Sequence, residues 1–200
     1  MAEPAYRNAN YEDILTLPDH RVGEIIDGEL HTHPRPAPRH ARAYSALGYL
    51  VGGPFDGGRD GPGGWWIIDE PEIHLAGDIL VPDVAGWRHE RLPVLPDIAW
   101  FELAPDWVCE ILSPATKRTD RTLKMPRYAR GGVTYLWLVD PDARTLEVYR
   151  SRDNRQSARQ NDTITTHQAL PNLPKVRAEC LSGYGAPESC GPTEHTQARA

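Results

Sequence analysis

Two carboxylates and an amine follow one another along the chain in an order that suits a hydrolytic site. Asp83 ends the segment Val81-Pro82-Asp83, and Glu110 interrupts an apolar run over residues 107–112. Lys124 follows on a stretch with helical patterning. Carboxylates on buried strands can hold a hard divalent cation such as Mg²⁺ or Mn²⁺, and a nearby lysine can orient the attacking water. These residue types predict metal-assisted cleavage of a phosphodiester by Asp83, Glu110 and Lys124.

Glu110 is the more informative of the two acids, because its neighbours Trp107, Val108, Cys109, Ile111 and Leu112 are all apolar. A buried glutamate is costly unless it is paired or binds a cation. The alternative is a structural salt bridge, with Arg121 or Lys124 as the partner. Asp83 alone would be an ordinary aspartate at a turn or strand end.

Basic residues cluster in the segment that carries Lys124. Lys117, Arg121 and Lys124 share one face of a helix at about 100° per residue. Beside paired carboxylates, Lys117 and Arg121 are candidates to bind the phosphate backbone of a nucleic acid. The alternative is a solvated helix face, and the net charge of −6 argues against an indiscriminate nucleic-acid binder.

The pattern of apolar residues and breakers predicts an α/β domain. Asp27-Gly28 predicts a two-residue hairpin turn between strands at residues 21–26 and 29–32. Helices are expected from residue 10 to 15, 40 to 51 and 116 to 130, and strands at 65–68, 72–75, 79–87, 107–112, 135–139 and 145–149, with a possible short strand at 98–103. Pro126 predicts that the last helix either kinks there or restarts with this proline in its first turn.

The order of these residues resembles one known family. It is similar to the Uma2 family of restriction endonucleases, a branch of the PD-(D/E)XK nuclease fold, at Pro82-Asp83, Glu110, Ser113-Pro114, Asp120, Lys124, Tyr128, Gly132-Val133 and residues 137–141, with residues 23–30 as the opening hairpin. The resemblance implies a mixed central sheet flanked by helices, with an N-terminal β-hairpin. It also implies a Mg²⁺- or Mn²⁺-dependent endonuclease acting on DNA.

The resemblance also bears on individual site residues. The nuclease motif usually carries its lysine two residues after the acid, where this chain has Leu112. The resemblance therefore assigns that role to Lys124, with Lys117 as an alternative. Glu24 and His40 match an acidic and a histidine position of the family and are expected to be auxiliary. Their alternatives are a solvent-facing strand residue for Glu24 and a helix-capping or surface residue for His40.

Tyr128 lies one turn beyond Lys124. It is expected either to pack beneath the site or to donate a hydrogen bond to it. We count it as a third auxiliary residue, with core packing as its alternative.

The composition sets the remaining expectations. Residues 1–150 are expected to form the nuclease domain, and residues 151–200, with five Leu, Ile, Val or Phe residues, a divergent tail that is irregular or disordered. No apolar run is long enough for a transmembrane helix. The polar N-terminus and unpatterned cysteines predict a cytoplasmic protein, and a homodimer is possible. The alternative function is a catalytically inactive, nuclease-like binding or regulatory protein. An interaction protein of unrelated fold would require Glu110 to lie far from Asp83.

Overall fold

The computed structural model describes residues 7–34, 36–151 and 162–163. The helices are α1 (Tyr11–Leu15), α2 (Pro38–Val51), α3 (Lys117–Thr119) and α4 (Met125–Gly131), with π-helical turns at Gly52–Asp56 and Asp120–Lys124. The strands are β1 (Arg21–Ile26), β2 (Glu29–Pro34), β3 (Trp65–Asp69), β4 (Ile73–Leu75), β5 (Asp78–Leu80), β6 (Val84–Arg88), β7 (Trp107–Ile111), β8 (Tyr135–Asp140), β9 (Thr145–Arg150) and β10 (Asp162–Thr163).

A large mixed sheet forms the centre of the domain, in the order β10-β9-β8-β7-β6-β3. Strands β7 and β8 are parallel and the other neighbours are antiparallel. A parallel pair needs a crossover connection, and residues 117–131 supply it as an irregular helix. The predicted mixed α/β architecture with flanking helices is confirmed.

The N-terminal hairpin belongs to a second, smaller sheet that the sequence patterns did not predict. Its order is β2-β1-β5-β4, and all its pairs are antiparallel. Asp27 and Gly28 have φ angles of 56° and 75°, as a type I′ turn requires. The predicted hairpin at these two residues is therefore confirmed.

The single strand expected over residues 79–87 is wrong. The chain leaves the small sheet after Leu80 and enters the large sheet at Val84. Pro82 lies between them and has no N–H to donate to a ladder, which favours a break at this point. Asp83 therefore lies where the two sheets meet.

The expected helix over residues 116–130 is present but irregular. The N–H of Met125 donates to the carbonyl of Asp120, five residues earlier. Pro126 cannot donate to the carbonyl four residues before it, and the chain restarts as α4 with this proline in its first turn. The restart is thus the correct one of the two predicted outcomes. Residues 98–103 form no strand, and only Phe101 bridges to Ile73.

Apolar clusters cover both faces of the large sheet. One lies against α2 and includes Leu47, Val51, Trp107 and Trp137. The other lies between the large sheet, the small sheet and α4, and includes Ile26, Leu80, Val108, Leu138 and Tyr128. Glu110 projects into this second layer together with Val108 and Leu112, because residues two apart along a strand face the same side of the sheet.

Among the residues that the structure describes, no helix is long and apolar enough to cross a membrane. The predicted tail at residues 151–200 lies outside the described residues, apart from residue 151 and the pair 162–163 that forms β10. The proposed division at residue 150 stays a prediction.

Candidate active site

Glu110 is the fourth of the five residues of β7 and is buried, with a relative exposure of 2%. Its Oε1 accepts a hydrogen bond of 2.5 Å from the Tyr128 hydroxyl and lies 2.8 Å from Lys124 Nζ. Burial raises the pKa of Glu110 well above its usual range, and the charges of Asp120, Asp83 and Glu24 add to this while Lys124 opposes it. The carboxylates therefore interact electrostatically across strands that are distant in sequence.

Tyr128 fulfils both roles considered for it. Its ring is buried in the apolar layer, with a relative exposure of 1%, while its hydroxyl reaches Glu110. Burial and the neighbouring Glu110 raise the pKa of Tyr128 well above its usual range. The hydroxyl is thus a neutral donor to the carboxylate.

Asp83 joins the small sheet to the large one and holds the start of β6 against β7. Its Oδ2 accepts a 2.6 Å hydrogen bond from the Ile111 N–H, and its Oδ1 lies 3.1 Å from His40 Nε2. With 16% of its side chain exposed, Asp83 is more accessible than Glu110. It thus lies at the solvent side of the site.

His40 is a buried residue near the start of α2 and neither caps the helix nor lies on the surface. Burial opposes protonation, yet the hydrogen bond and charge of Asp83 outweigh it and raise the pKa of His40. Its Nδ1 is buried, and the backbone of Ile111 also favours the protonated ring. His40 therefore orients Asp83 and adds positive charge beside it when protonated.

Lys124 lies at the end of the π-helical turn and is also buried, with 3% of its side chain exposed. Besides Glu110, its Nζ contacts Glu24 Oε1 at 2.9 Å and donates to the carbonyl of Val81 at 3.2 Å. Burial alone would lower the pKa of Lys124, but the surrounding carboxylates raise it well above its usual range. Lys124 is therefore an ammonium ion within the acid cluster.

Glu24 is the carboxylate that the small sheet contributes. It is 1% exposed, so the solvent-facing alternative is wrong. Its Oε1 accepts a 2.8 Å hydrogen bond from the Val81 N–H, which ties β1 to the segment preceding Asp83. Its Oε2 lies 3.8 Å from His33 Nε2.

Asp120 is a member of this cluster to which the sequence analysis assigned no role. It is 3% exposed, and its Oδ1 lies 3.8 Å from Lys124 Nζ. Burial raises the pKa of Asp120 although Lys124 opposes the shift. Its spacing of four residues from Lys124 was the available signal, because residues four apart share a helix face.

The two candidate phosphate-binding residues form ion pairs instead of presenting free cations. Lys117 Nζ lies 2.6 Å from Asp140 Oδ2, and Arg121 binds both carboxylate oxygens of Glu147. The Lys117 side chain is 49% exposed, whereas that of Arg121 is 30% exposed. Their role towards phosphate stays a prediction and requires these pairs to open.

The residue types of the cluster fit a hard divalent cation. Glu24, Glu110 and Asp120 face the Lys124 ammonium, and Asp83 faces the His40 imidazole, so four acids share two basic partners. Within the described ranges, no group of three or more His, Cys, Asp or Glu side chains converges as a metal site. Mg²⁺ commonly binds through one or two carboxylates, with water and substrate phosphate as its other ligands.

Comparisons with known proteins agree with this fold. A sequence model of the family Uma2, described as "Putative restriction endonuclease", matches residues 10–178. A crystal structure from Anabaena variabilis, described as a "putative nuclease belonging to DUF820", superposes with a TM-score of 0.66 at 23% identity. The match covers 86% of this chain and 97% of the other. A search of curated proteins found no match. The restriction-endonuclease-like fold expected from the sequence is thereby confirmed.

Proposed function

The chain belongs to the Uma2 family, and from this we propose that it is a metal-dependent endonuclease that hydrolyses phosphodiester bonds in DNA. One observation carries the proposal. Asp83 and Glu110 lie 27 residues apart in sequence, yet the pairing of β6 with β7 brings them close enough for the charge of Asp83 to raise the pKa of Glu110, which itself contacts Lys124. Acids placed at such a sheet junction are suited to metal-assisted phosphoryl chemistry.

Asp83 and Glu110 are the residues that would hold Mg²⁺ or Mn²⁺. Both are fixed by neighbours, Asp83 by the Ile111 N–H and His40, and Glu110 by Tyr128. When bound, such a cation polarises a phosphoryl oxygen and lowers the pKa of a coordinated water. Lys124 contributes positive charge to the site, and Asp83 is the carboxylate on its accessible side.

Phosphodiester hydrolysis implies that the substrate is a nucleic acid. Lys117 is the better placed of the two phosphate-binding candidates, because half of its side chain is exposed. The net charge of −6 gives the protein little general attraction for DNA. Binding would therefore depend on local cations and on the bound metal. The cytoplasmic location and the homodimer expected from the sequence remain predictions.

Plasmid cleavage tests the proposed activity. We expect the wild-type protein to nick DNA with Mg²⁺ or Mn²⁺ and to stop when EDTA is added. Glu110→Gln should abolish cleavage, because it removes a negative charge from the proposed cation ligands. Glu90→Gln is the matched control, since the Glu90 side chain is 72% exposed and pairs with Arg88 at the surface. Cleavage that survives Glu110→Gln would refute the assignment.

The second candidate is a nuclease-like protein that binds without catalysis. Two observations favour it: Leu112 stands where the nuclease motif has its lysine, and the ammonium of Lys124 is already surrounded by acceptors. Calorimetric titration with Mn²⁺ separates the candidates. The enzyme requires saturable binding that is lost in Asp83→Asn, whereas a protein without a cation site shows the same titration in both forms.

A further inference from the structure

The hydrogen bonds of Lys124 limit what its ammonium can do. A lysine ammonium has three N–H donors and no acceptor. Three oxygens lie within 3.2 Å of Nζ: Oε1 of Glu110 at 2.8 Å, Oε1 of Glu24 at 2.9 Å and the carbonyl of Val81 at 3.2 Å. Each N–H thus has an acceptor inside the protein. None is left for a water or a phosphate in this conformation.

Glu24 and Glu110 are each held through their Oε1 atom. Oε1 of Glu110 accepts from both Lys124 and the Tyr128 hydroxyl. Oε1 of Glu24 accepts from both Lys124 and the Val81 N–H. A carboxylate oxygen has about two lone-pair sites, so both Oε1 atoms are fully used. The Oε2 atoms are the ones left for other ligands.

Solvent reaches this region through a cleft of about 90 Å³ between the hairpin and the start of the irregular helix. Glu24, Thr32 and His33 line one wall, and Thr116 and Asp120 line the other. His33 Nε2 lies 3.8 Å from Oε2 of Glu24. The cleft thus approaches the glutamate on the side of its unoccupied oxygen.

The irregular helix explains why Lys124 can reach both acids. The π-helical turn begins at Asp120 and ends at Lys124. Both of these side chains are buried, so the turn projects them towards the protein interior. Glu24 lies on the small sheet and Glu110 on the large one, so the ammonium bridges two sheets. A residue in this position fixes the geometry between the two layers.

We propose that Lys124 is a positioning residue: its ammonium clamps Oε1 of Glu24 and Oε1 of Glu110 and so presents the two Oε2 atoms to a divalent cation. The proposal rests on the proposed function and assigns Lys124 a role through the carboxylates. It makes Glu24 a second glutamate of the cation site. Orienting the attacking water, the role expected from the sequence, would require a free N–H.

The Lys124→Met variant tests the clamp, because methionine keeps an unbranched apolar side chain and removes the ammonium. We expect the dissociation constant for Mn²⁺, measured by calorimetry, to weaken by about 10–100-fold, as for other residues that orient metal ligands. The rate constant for DNA cleavage at saturating Mn²⁺ should return close to that of the wild type. Arg118→Met is the matched control, because Arg118 is an exposed cation on the same irregular helix, and it should leave Mn²⁺ affinity unchanged.

Two results would overturn the clamp. A rate constant that stays low at saturating Mn²⁺ would show that Lys124 acts on the reacting groups themselves. Unchanged or tighter Mn²⁺ binding would show that the ammonium does not hold the ligands or that it competes with the cation.

A second measurement uses the wild-type protein and so does not depend on whether the variant folds. The chain has three lysines, Lys117, Lys124 and Lys175, so acylation of each amine can be followed by mass spectrometry. Lys124 should react far more slowly than Lys117, and equal rates would overturn the clamp. Wild-type protein that neither binds Mn²⁺ nor cleaves DNA would refute the proposed function, whereas acylation would still report whether the Lys124 amine is shielded from reagent in solution.

Discussion

Glu110 can occupy a central strand because two neighbouring side chains compensate its buried carboxyl group. Lys124 and Tyr128 both reach Oε1 within 2.8 Å. Removing one partner of a buried charge is costly, since the remaining group loses its compensation while it stays out of water. The local network is therefore a condition for having an acid at this position.

Tyr128→Phe should destabilise the protein by about 1.5–3 kcal/mol, because it removes a hydrogen bond to a buried carboxylate. Tyr149→Phe is the matched control, since its hydroxyl donates to a carboxylate that Arg121 also binds and that is 31% exposed. Its expected cost is about 1 kcal/mol or less. Urea denaturation measures both, and equal losses would contradict the burial argument.

The sequence could predict some residues of this site and not others. Glu110 was identifiable because a charged residue inside an apolar run is unusual. Asp83 and Lys124 became candidates through their order relative to Glu110. Asp120 was marked by its spacing of four residues from Lys124, but the spacing alone did not assign it a role, because its inward orientation depends on the π-helical turn.

At the scale of the elements, the irregular helix after β7 is what places Lys124 and Asp120. Its last segment, α4, is followed by Gly132, which adopts a left-handed conformation with φ of 95°. The Val133 N–H returns to the Tyr128 carbonyl, which closes the helix end. Tyr128 is thereby held at the level of Glu110.

Two glycine substitutions should have opposite effects on stability. Gly132→Ala should cost about 1–2 kcal/mol, because a side chain disfavours the left-handed conformation. Gly48→Ala should stabilise by about 0.5–1 kcal/mol, since Gly48 lies inside α2 and a Cβ there meets no atom within 4 Å. Thermal unfolding of both variants checks this, and a stabilising Gly132→Ala would contradict it.

Asp140, at the end of β8, links stability to pH. Burial would raise its pKa, but the Ala143 N–H, Lys117 and the Asp142 N–H outweigh this and hold the pKa of Asp140 below its usual range. A carboxyl with a lowered folded pKa adds stability above its unfolded pKa. That stability is lost as the pH falls through the folded pKa.

Asp140→Asn should therefore lower the free energy of unfolding at pH 7 by about 1–2 kcal/mol. The variant should also lose less stability than the wild type as the pH falls below the usual aspartate range, because it has no carboxylate at this position to protonate. Asp142→Asn is the control, because that side chain is 54% exposed and pairs with surface Arg39. Denaturation curves from pH 7 to 2 would contradict the account if both variants followed the same profile.

Local patterns predicted the elements better than their arrangement. The hairpin follows from the two residues Asp27 and Gly28, whose positive φ angles define its turn. The split between β5 and β6 depends on which sheet each half joins, and alternating apolar residues do not contain that information. The π-helical turn depends on a hydrogen bond between residues five apart, Met125 and Asp120, which Pro126 favours only indirectly.

At the scale of the whole molecule, the site lies at the meeting point of two sheets and a helix. Glu24 belongs to the small sheet, Glu110 to the large one, and Asp83 to the segment that joins them. The Anabaena variabilis structure shares the fold of this domain at 23% sequence identity. The charge of the site is therefore a property of the assembled domain and of no single segment.

A crystal structure with bound Mn²⁺ is the most direct test of the central claim, that these acids form a divalent-cation site. The account predicts an anomalous scattering peak in contact with carboxylate oxygens of both Asp83 and Glu110, and no such peak in Glu110→Gln crystals. A wild-type crystal soaked at saturating Mn²⁺ that shows no peak between these two residues would contradict it.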